Sequence, residues 1–181
     1  MGPESARPDT LRGMRNPILL VMGVSGSGKT TIGAMLAGRL GWTYAEADDF
    51  HPPANVEKMH AGVPLNDEDR RPWLDATANW MKDQHDPAVV TSSALKRKYR
   101  DLLRAGRPDL RLVYLEGSRD LIGKRMAARH GHFFPKDLLD SQFGDLEAPE
   151  PEENPLIVSV DGPPEQIVQE IMDRTGLTPR T

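Results

Sequence analysis

A phosphate-binding motif lies near the beginning of the chain. Residues Gly23-Val24-Ser25-Gly26-Ser27-Gly28-Lys29-Thr30 match the pattern G-x-x-x-x-G-K-[ST], between an apolar segment and a helical one. Its glycines let backbone N–H groups wrap an anion, and the following helix adds its partial positive charge. We expect Lys29 to reach the β- and γ-phosphates and the Thr30 hydroxyl to bind Mg²⁺. The remaining phosphate-binding candidates are Gly23, Ser25, Gly26, Ser27, Gly28 and Thr31.

Two carboxylates, Glu46 and Asp48, stand at the end of the next apolar segment. Residues two apart in a strand point to the same face, and ligands bind at the carboxyl ends of parallel strands. A carboxylate at this edge can accept the proton of an attacking hydroxyl or hold Mg²⁺. Spacing alone allows an alternative of about equal weight, in which these acids form a solvated turn.

The segments that must position these groups alternate between strand and helix, which predicts an α/β fold. We expect a three-layer P-loop NTPase fold with a five-stranded parallel sheet, helices on both faces and a short lid. The predicted strands read as apolar runs and not as a strict alternation of apolar and polar residues, as expected for a sheet covered on both sides. They are Ile18–Met22, Trp42–Ala47, Ala88–Thr91, Leu110–Leu115 and Leu156–Val160. The predicted helices are Lys29–Leu40, part of Asn55–Ala61, Asp67–Lys82, Lys96–Arg104, Arg119–Arg129, Lys136–Leu146 and Pro164–Thr175.

Composition limits the classes of function. The 181 residues carry a formal net charge of −4, which argues against a nucleic-acid-binding surface. There is no cysteine, so disulfides, thiolate metal sites and cysteine nucleophiles are excluded. The apolar runs are too short to span a bilayer and the N-terminal residues lack a signal-peptide pattern, so we expect no membrane association and a cytoplasmic protein. We predict a flexible tail over residues 1–16, one domain over 17–175 and a C-terminal tail over 176–181, with a polar surface loop over 147–155.

Three further segments resemble blocks of the gluconokinases, small P-loop kinases that phosphorylate D-gluconate. They are Ala47–Leu74, Thr91–Arg104 and Arg125–Pro135, and with the P-loop the resemblance extends from about Ile18 to Asp173. One mild departure is Ser92, where the family would have Cys or a similar small residue. The resemblance implies transfer of phosphate from ATP, with Mg²⁺, to the C6 hydroxyl of D-gluconate, for carbohydrate catabolism by the pentose phosphate or Entner-Doudoroff routes. It also implies a homodimer.

The resemblance assigns roles to residues in the first block. Asp48 would orient the C6 hydroxyl and accept its proton, and Glu46 would reach Mg²⁺ through water. His51 would hydrogen-bond the substrate, although a capping or exposed histidine is equally compatible with the sequence. Arg70 would lie in the substrate pocket because the family block D-x-D-R-x-P-W places it there. For Lys58, an exposed helix face is the better interpretation.

Lys96 and Arg100 are predicted to bind the substrate carboxylate. They are four residues apart and therefore share a helix face, and a guanidinium suits bidentate binding of a carboxylate. We interpret Arg97 and Lys98, between them, as surface charge.

Arg125 and Arg129 are predicted to act on the nucleotide. They precede Gly131–Pro135, which resembles the lid of the nucleoside-monophosphate-kinase-like fold, here about residues 130–140. Such arginines neutralise charge that develops during transfer, so Arg129 is a candidate catalytic residue. His132, in the lid, is assigned to the substrate. Residues 159–166 are assigned to the adenine as a region.

Two alternative functions remain at this stage. A shikimate-kinase-like activity would need a Gly-Gly-Gly turn after the third strand, where this chain has Thr91-Ser92-Ser93-Ala94. A nucleotide-dependent switch without a small acceptor would leave Asp48, Arg70, Lys96 and Arg100 without a common purpose.

Overall fold

The structure is a computed structural model that describes Leu11, residues 16–130 and residues 136–180. Its strands are β1 (Ile18–Met22), β2 (Thr43–Glu46), β3 (Ala88–Ser92), β4 (Arg111–Glu116) and β5 (Leu156–Ser159). Its α-helices are α1 (Lys29–Leu40), α2 (Pro53–His60), α3 (Asp67–Lys82), α4 (Arg97–Ala105), α5 (Arg119–His130), α6 (Lys136–Asp145) and α7 (Pro164–Thr175). Short 3₁₀ turns occur at Ala47–Phe50 and Pro151–Glu153.

The strands form one parallel sheet in the order β2-β3-β1-β4-β5, which confirms the predicted fold class. Side chains alternate across the central strand β1: Leu19 and Val21 pack with α1 and α7, and Leu20 packs with α3 and α4. The chain runs to one side of β1 for β2 and β3, and to the other for β4 and β5. The end of β1 is therefore a topological switch point, where ligands bind in such sheets.

A smaller apolar cluster lies beneath the phosphate-binding loop. It consists of Val24, Leu95, Ile122, Met126 and Leu139, with Phe143 and Leu146 packed against it. These residues come from the loop itself, the segment before α4, and helices α5 and α6. Packing therefore joins α5 and α6 to the phosphate-binding loop.

Two described residues in the segments predicted as tails contact the domain. Leu11, assigned to a loose tail, is buried, and its N–H donates a hydrogen bond to the Thr175 carbonyl at 2.8 Å. In the C-terminal segment the Arg180 N–H donates to the Arg39 carbonyl at 3.0 Å.

Within the described residues, no helix is both long and apolar enough to cross a membrane.

Candidate active site

The phosphate-binding loop has a backbone that needs glycine. Gly26 and Gly28 have φ angles of +85° and +94°, in the left-handed region that other residues avoid. A Cβ on Gly26 would also lie 2.6 Å from the Met126 sulfur. Because Gly28 precedes α1 and has no side chain to cap it, the first N–H groups of that helix stay available for an anion.

Lys29 links this loop to the end of β2. Its ammonium group donates a hydrogen bond to the Val24 carbonyl at 3.2 Å. Burial lowers the pKa of Lys29, while the nearby Asp48 and Glu46 carboxylates oppose that shift. The two acids at the end of β2 therefore lie within electrostatic reach of the P-loop lysine, as the topology predicts.

Thr30 and Glu46 meet at the opening of the loop, where the threonine hydroxyl donates a hydrogen bond to the glutamate carboxylate. Both provide oxygen atoms, the ligands that Mg²⁺ prefers. In the part of the chain that the structure describes, no group of three or more His, Cys, Asp and Glu side chains could hold a metal ion. Mg²⁺ at nucleotide sites usually takes one or two protein ligands together with phosphates and waters, so Thr30 and Glu46 fit this pattern.

An open cleft of about 270 Å³ extends from the loop to the start of α7. Arg125 and Arg129, on α5, border it beside the P-loop glycines. At its other end it is lined by Gly162, Pro164 and Ile167, so it reaches the region assigned to the adenine. One continuous groove thus contains the predicted phosphate-binding arginines and the predicted base-binding segment.

Directly after the turn that carries Asp48, His51 stacks on Trp73 with 4.5 Å between ring centroids and 14° between planes. Burial lowers the pKa of His51; Asp48 opposes this shift and Arg70 adds to it. Three predicted acceptor-site residues, Asp48, His51 and Arg70, therefore lie close enough to interact. The Trp73 indole donates to the Ala47 carbonyl at 2.7 Å, which fixes the turn that carries Asp48.

Arg70 belongs to a polar network between α3 and α4. It donates a hydrogen bond to the Tyr99 hydroxyl at 2.9 Å, and that hydroxyl donates to Asp67 at 2.8 Å. Lys98 also binds Asp67, at 2.5 Å, consistent with its interpretation as surface charge. Lys96 is half-buried and directly precedes α4, where its side chain forms no capping hydrogen bond. The pKa of Asp67 is lowered mainly by the Lys98 hydrogen bond, and the Lys96 charge adds to this shift. Lys96 thus stays near the Arg70 network.

The prediction for Arg100 needs correction. Its side chain is 1% exposed and forms an ion pair with Glu153, with Nε 2.7 Å from Oε1. Its Nη1 and Nη2 groups also donate to the carbonyls of Ala94 and Glu147, each at 2.9 Å. The guanidinium therefore holds the interior together and does not face a substrate. The four-residue spacing assumed that both residues lie in one helix, but Lys96 precedes α4 with an extended backbone and Arg100 turns inward.

Two polar residues that the sequence analysis did not select contact the site. The Gln142 side-chain oxygen, on α6, accepts hydrogen bonds from the Ser25 N–H at 3.1 Å and the Ser25 hydroxyl at 3.3 Å. Asn55 is buried next to His51. No signal in the sequence indicates Gln142, whereas Asn55 lies one helical turn after His51. His132 is outside the described residues.

The chain is similar in sequence and in fold to several gluconokinases. A gluconokinase of Gluconobacter oxydans is 44% identical over 167 residues, covering 91% of this chain and 94% of that protein. The thermoresistant gluconokinase of Escherichia coli is 44% identical over 155 residues, covering 83% and 89%. The chain belongs to the gluconokinase family. A family model described as shikimate kinase matches residues 25–175, and a crystal structure of a gluconokinase from Sinorhizobium meliloti superposes with a TM-score of 0.82 at 43% identity, covering 88% of this chain and 91% of that one. The family thus agrees with the P-loop kinase fold.

Proposed function

We propose that this chain transfers the γ-phosphoryl group of ATP to the C6 hydroxyl of D-gluconate, giving 6-phospho-D-gluconate and ADP. Membership of the gluconokinase family supports the choice of reaction. One structural observation carries the proposal: Asp48 is an exposed carboxylate in the turn directly after β2, within electrostatic reach of both Lys29 and His51. A carboxylate near both the phosphate-binding loop and the candidate acceptor pocket can accept the proton of an attacking hydroxyl.

In this mechanism the loop N–H groups and Lys29 hold the β- and γ-phosphates of ATP. Arg125 and Arg129 lie along the same cleft and offset negative charge on the transferring group. Because the phosphates would be held by donors that are already in place, little reorganisation is needed during transfer. The P-loop and α5 would therefore both contribute electrostatic stabilisation.

The acceptor side positions the attacking oxygen. Arg70 and Lys96 are the cations proposed for the C1 carboxylate of gluconate, and His51 is a hydrogen-bond partner for its oxygens. As the bond from O6 to the γ-phosphorus forms and the bond from that phosphorus to the bridging oxygen of ADP breaks, Asp48 accepts the hydroxyl proton. Asp48 is exposed, so a substrate can reach it.

Thr30 directly, and Glu46 through water, would hold Mg²⁺. The oxygen atoms that these two residues bring together fit such an ion. When bound, Mg²⁺ supplies positive charge to the phosphate oxygens. We also propose a cytoplasmic location and a homodimer, both of which follow from family resemblance, and sedimentation of the purified protein tests the dimer.

The experiment that tests the function is coupled ADP release by the pure protein with Mg²⁺ and ATP, in the presence of D-gluconate, shikimate or no acceptor. Of the three conditions, we expect rapid ADP release only in the one that contains D-gluconate. Equal release with and without acceptor would refute the kinase assignment, and stimulation by shikimate in place of D-gluconate would refute the substrate assignment. Lys29→Met protein prepared in parallel serves as the blank for contaminating kinases.

Asp48→Asn tests the proposed base because it keeps the shape and removes the charge. We expect kcat to fall by about 10²–10⁴-fold, as for other lost general bases, with ATP affinity nearly unchanged. Full activity would refute the catalytic role. Joint loss of ATP and Mg²⁺ affinity would instead assign Asp48 to the metal.

A further inference from the structure

The buried side chain of Asn55 connects His51 to the start of α3. Asn55 is 3% exposed, and its Nδ2 atom lies 2.7 Å from the Asp69 carbonyl oxygen and 3.1 Å from His51 Nδ1. A buried amide is expected to use its hydrogen-bonding groups, because leaving them unpaired costs free energy. Both neighbours of this nitrogen therefore constrain how the amide and the imidazole are arranged.

The two contacts determine which ring nitrogen of His51 carries the proton. A backbone carbonyl can only accept, so the Asn55 atom facing Asp69 must be the amide nitrogen, which has two N–H donors and accepts none. One N–H goes to the Asp69 carbonyl, and the other is directed to His51 Nδ1. That ring nitrogen must then be an acceptor, which means that it is unprotonated and that the ring proton is on Nε2.

The groups around this pair are themselves held in place. The Asp69 carboxylate accepts hydrogen bonds from Lys58 and from the Asn66 N–H, and Asn66 caps α3 in return. The Asp69 carbonyl is therefore part of an anchored first turn. The plane of the His51 ring is fixed separately, by its stacking on Trp73.

We propose that Asn55 is a positioning residue that holds His51 as a neutral imidazole with its proton on Nε2. His51 then donates a hydrogen bond to an oxygen of the acceptor and does not act as the base. This inference rests on the proposed function, and it leaves proton removal to Asp48. Substrate specificity follows, since a fixed donor favours an acceptor that offers a hydroxyl or carboxylate oxygen at that point.

The surroundings of the ring favour the neutral form as well. Burial and the Arg70 charge lower the pKa of His51, and the Asp48 carboxylate opposes them without reversing the shift. Protonation of Nδ1 would also direct a ring N–H toward the Asn55 amide N–H, removing a hydrogen bond. The neutral form is therefore expected to persist below the ordinary histidine pKa of about 6.5.

Spectra of the protein labelled with ¹⁵N-histidine test the proton position directly. The chain has five histidines, and the His51 signals are those lost in His51→Gln. We expect long-range ¹H–¹⁵N correlations to show the Nε2–H tautomer at neutral pH, and a mixture of tautomers in Asn55→Leu. An Nδ1–H tautomer in the parent protein, or an unchanged tautomer in Asn55→Leu, would overturn the proposal.

Kinetics separate positioning from a structural role. Asn55→Leu should raise the KM for D-gluconate by roughly three- to ten-fold, the effect of one misplaced hydrogen bond, with the KM for ATP unchanged. Asn79→Leu, an exposed position on α3, is the matched control and should change neither. In the His51→Gln background, whose amide retains a donor, Asn55→Leu should have no further effect on the gluconate KM. Additive effects would contradict action through His51.

If the proposed function is wrong, the kinetic and the spectroscopic experiments give distinguishable results. A protein that does not phosphorylate D-gluconate refutes the proposed function and the donor role of His51 together. The histidine spectra still decide independently whether Asn55 fixes the tautomer.

Discussion

Replacing Arg100 by methionine distinguishes the structural role seen here from the substrate role predicted from sequence. The change removes an ion pair in which the Arg100 and Glu153 side chains are 1% and 0% exposed. It also removes the donors to the carbonyls of Ala94 and Glu147. Breaking one side of a buried pair costs about 3–5 kcal/mol, because the remaining charge stays buried without its partner. That is a large part of the roughly 5–15 kcal/mol that stabilises a typical domain.

The expected loss is measured by urea unfolding, followed through the fluorescence of the three tryptophans. The double variant Arg100→Met/Glu153→Gln should be more stable than Arg100→Met alone, because it no longer buries an unpaired carboxylate. At a temperature where Arg100→Met stays folded, its gluconate KM should change only modestly although its free energy of unfolding is much lower. Ala94, to which Arg100 donates, has a φ of +35°, so a modest change in the adjoining loop is expected. An unchanged free energy of unfolding with a steeply raised gluconate KM would refute this reasoning.

Two other predictions follow from the site, and a third follows from the buried ion pair. Lys29→Met should lower kcat by roughly two or more decades while the fold persists, and near-normal turnover would show that Lys29 does not contact the phosphates. Arg129→Ala should lower kcat more than it weakens gluconate binding, whereas a raised gluconate KM alone would move this residue to the acceptor side. Burial raises the pKa of Glu153, but Arg100 and the Glu150 N–H hold it below the ordinary 4.5. The folded value is thus below the unfolded one, so this contribution to stability is complete above about pH 4.5 and is lost as the pH falls further. In the parent protein the free energy of unfolding should therefore fall as the pH drops below about 4.5, and this fall should be smaller in Glu153→Gln. An equal dependence on pH in both proteins would contradict the role of Glu153.

Local sequence patterns predicted the parts of the site that are formed by residues close together in the sequence. The phosphate-binding loop is a continuous motif, and the acids at the end of β2 follow from the rule that ligands bind at the carboxyl ends of strands. Arg100 was misassigned because its partner, Glu153, lies 53 positions later in a segment that reads as a polar surface loop. Nothing in the helical spacing of α4 shows which side meets that segment.

Contacts between distant elements explain the other omissions. Gln142 meets Ser25 across a separation of 117 residues, and it does so because the apolar cluster beneath the loop seats α6 there. Asn55 gains its importance from a backbone carbonyl at Asp69, and a carbonyl has no side-chain identity to read in a sequence. Motifs and periodicity therefore predict the chemistry, whereas tertiary packing decides which polar residues support it.

The most direct test of the central claim is to identify the product. Purified protein is supplied with Mg²⁺, ATP and D-gluconate, and the phosphorylated sugar acid is examined by ³¹P and ¹H NMR while ADP is counted in the same sample. The account predicts one phosphate ester, at C6, for each ADP formed. ADP formation without a phosphorylated sugar acid, or an ester at another hydroxyl, would contradict it.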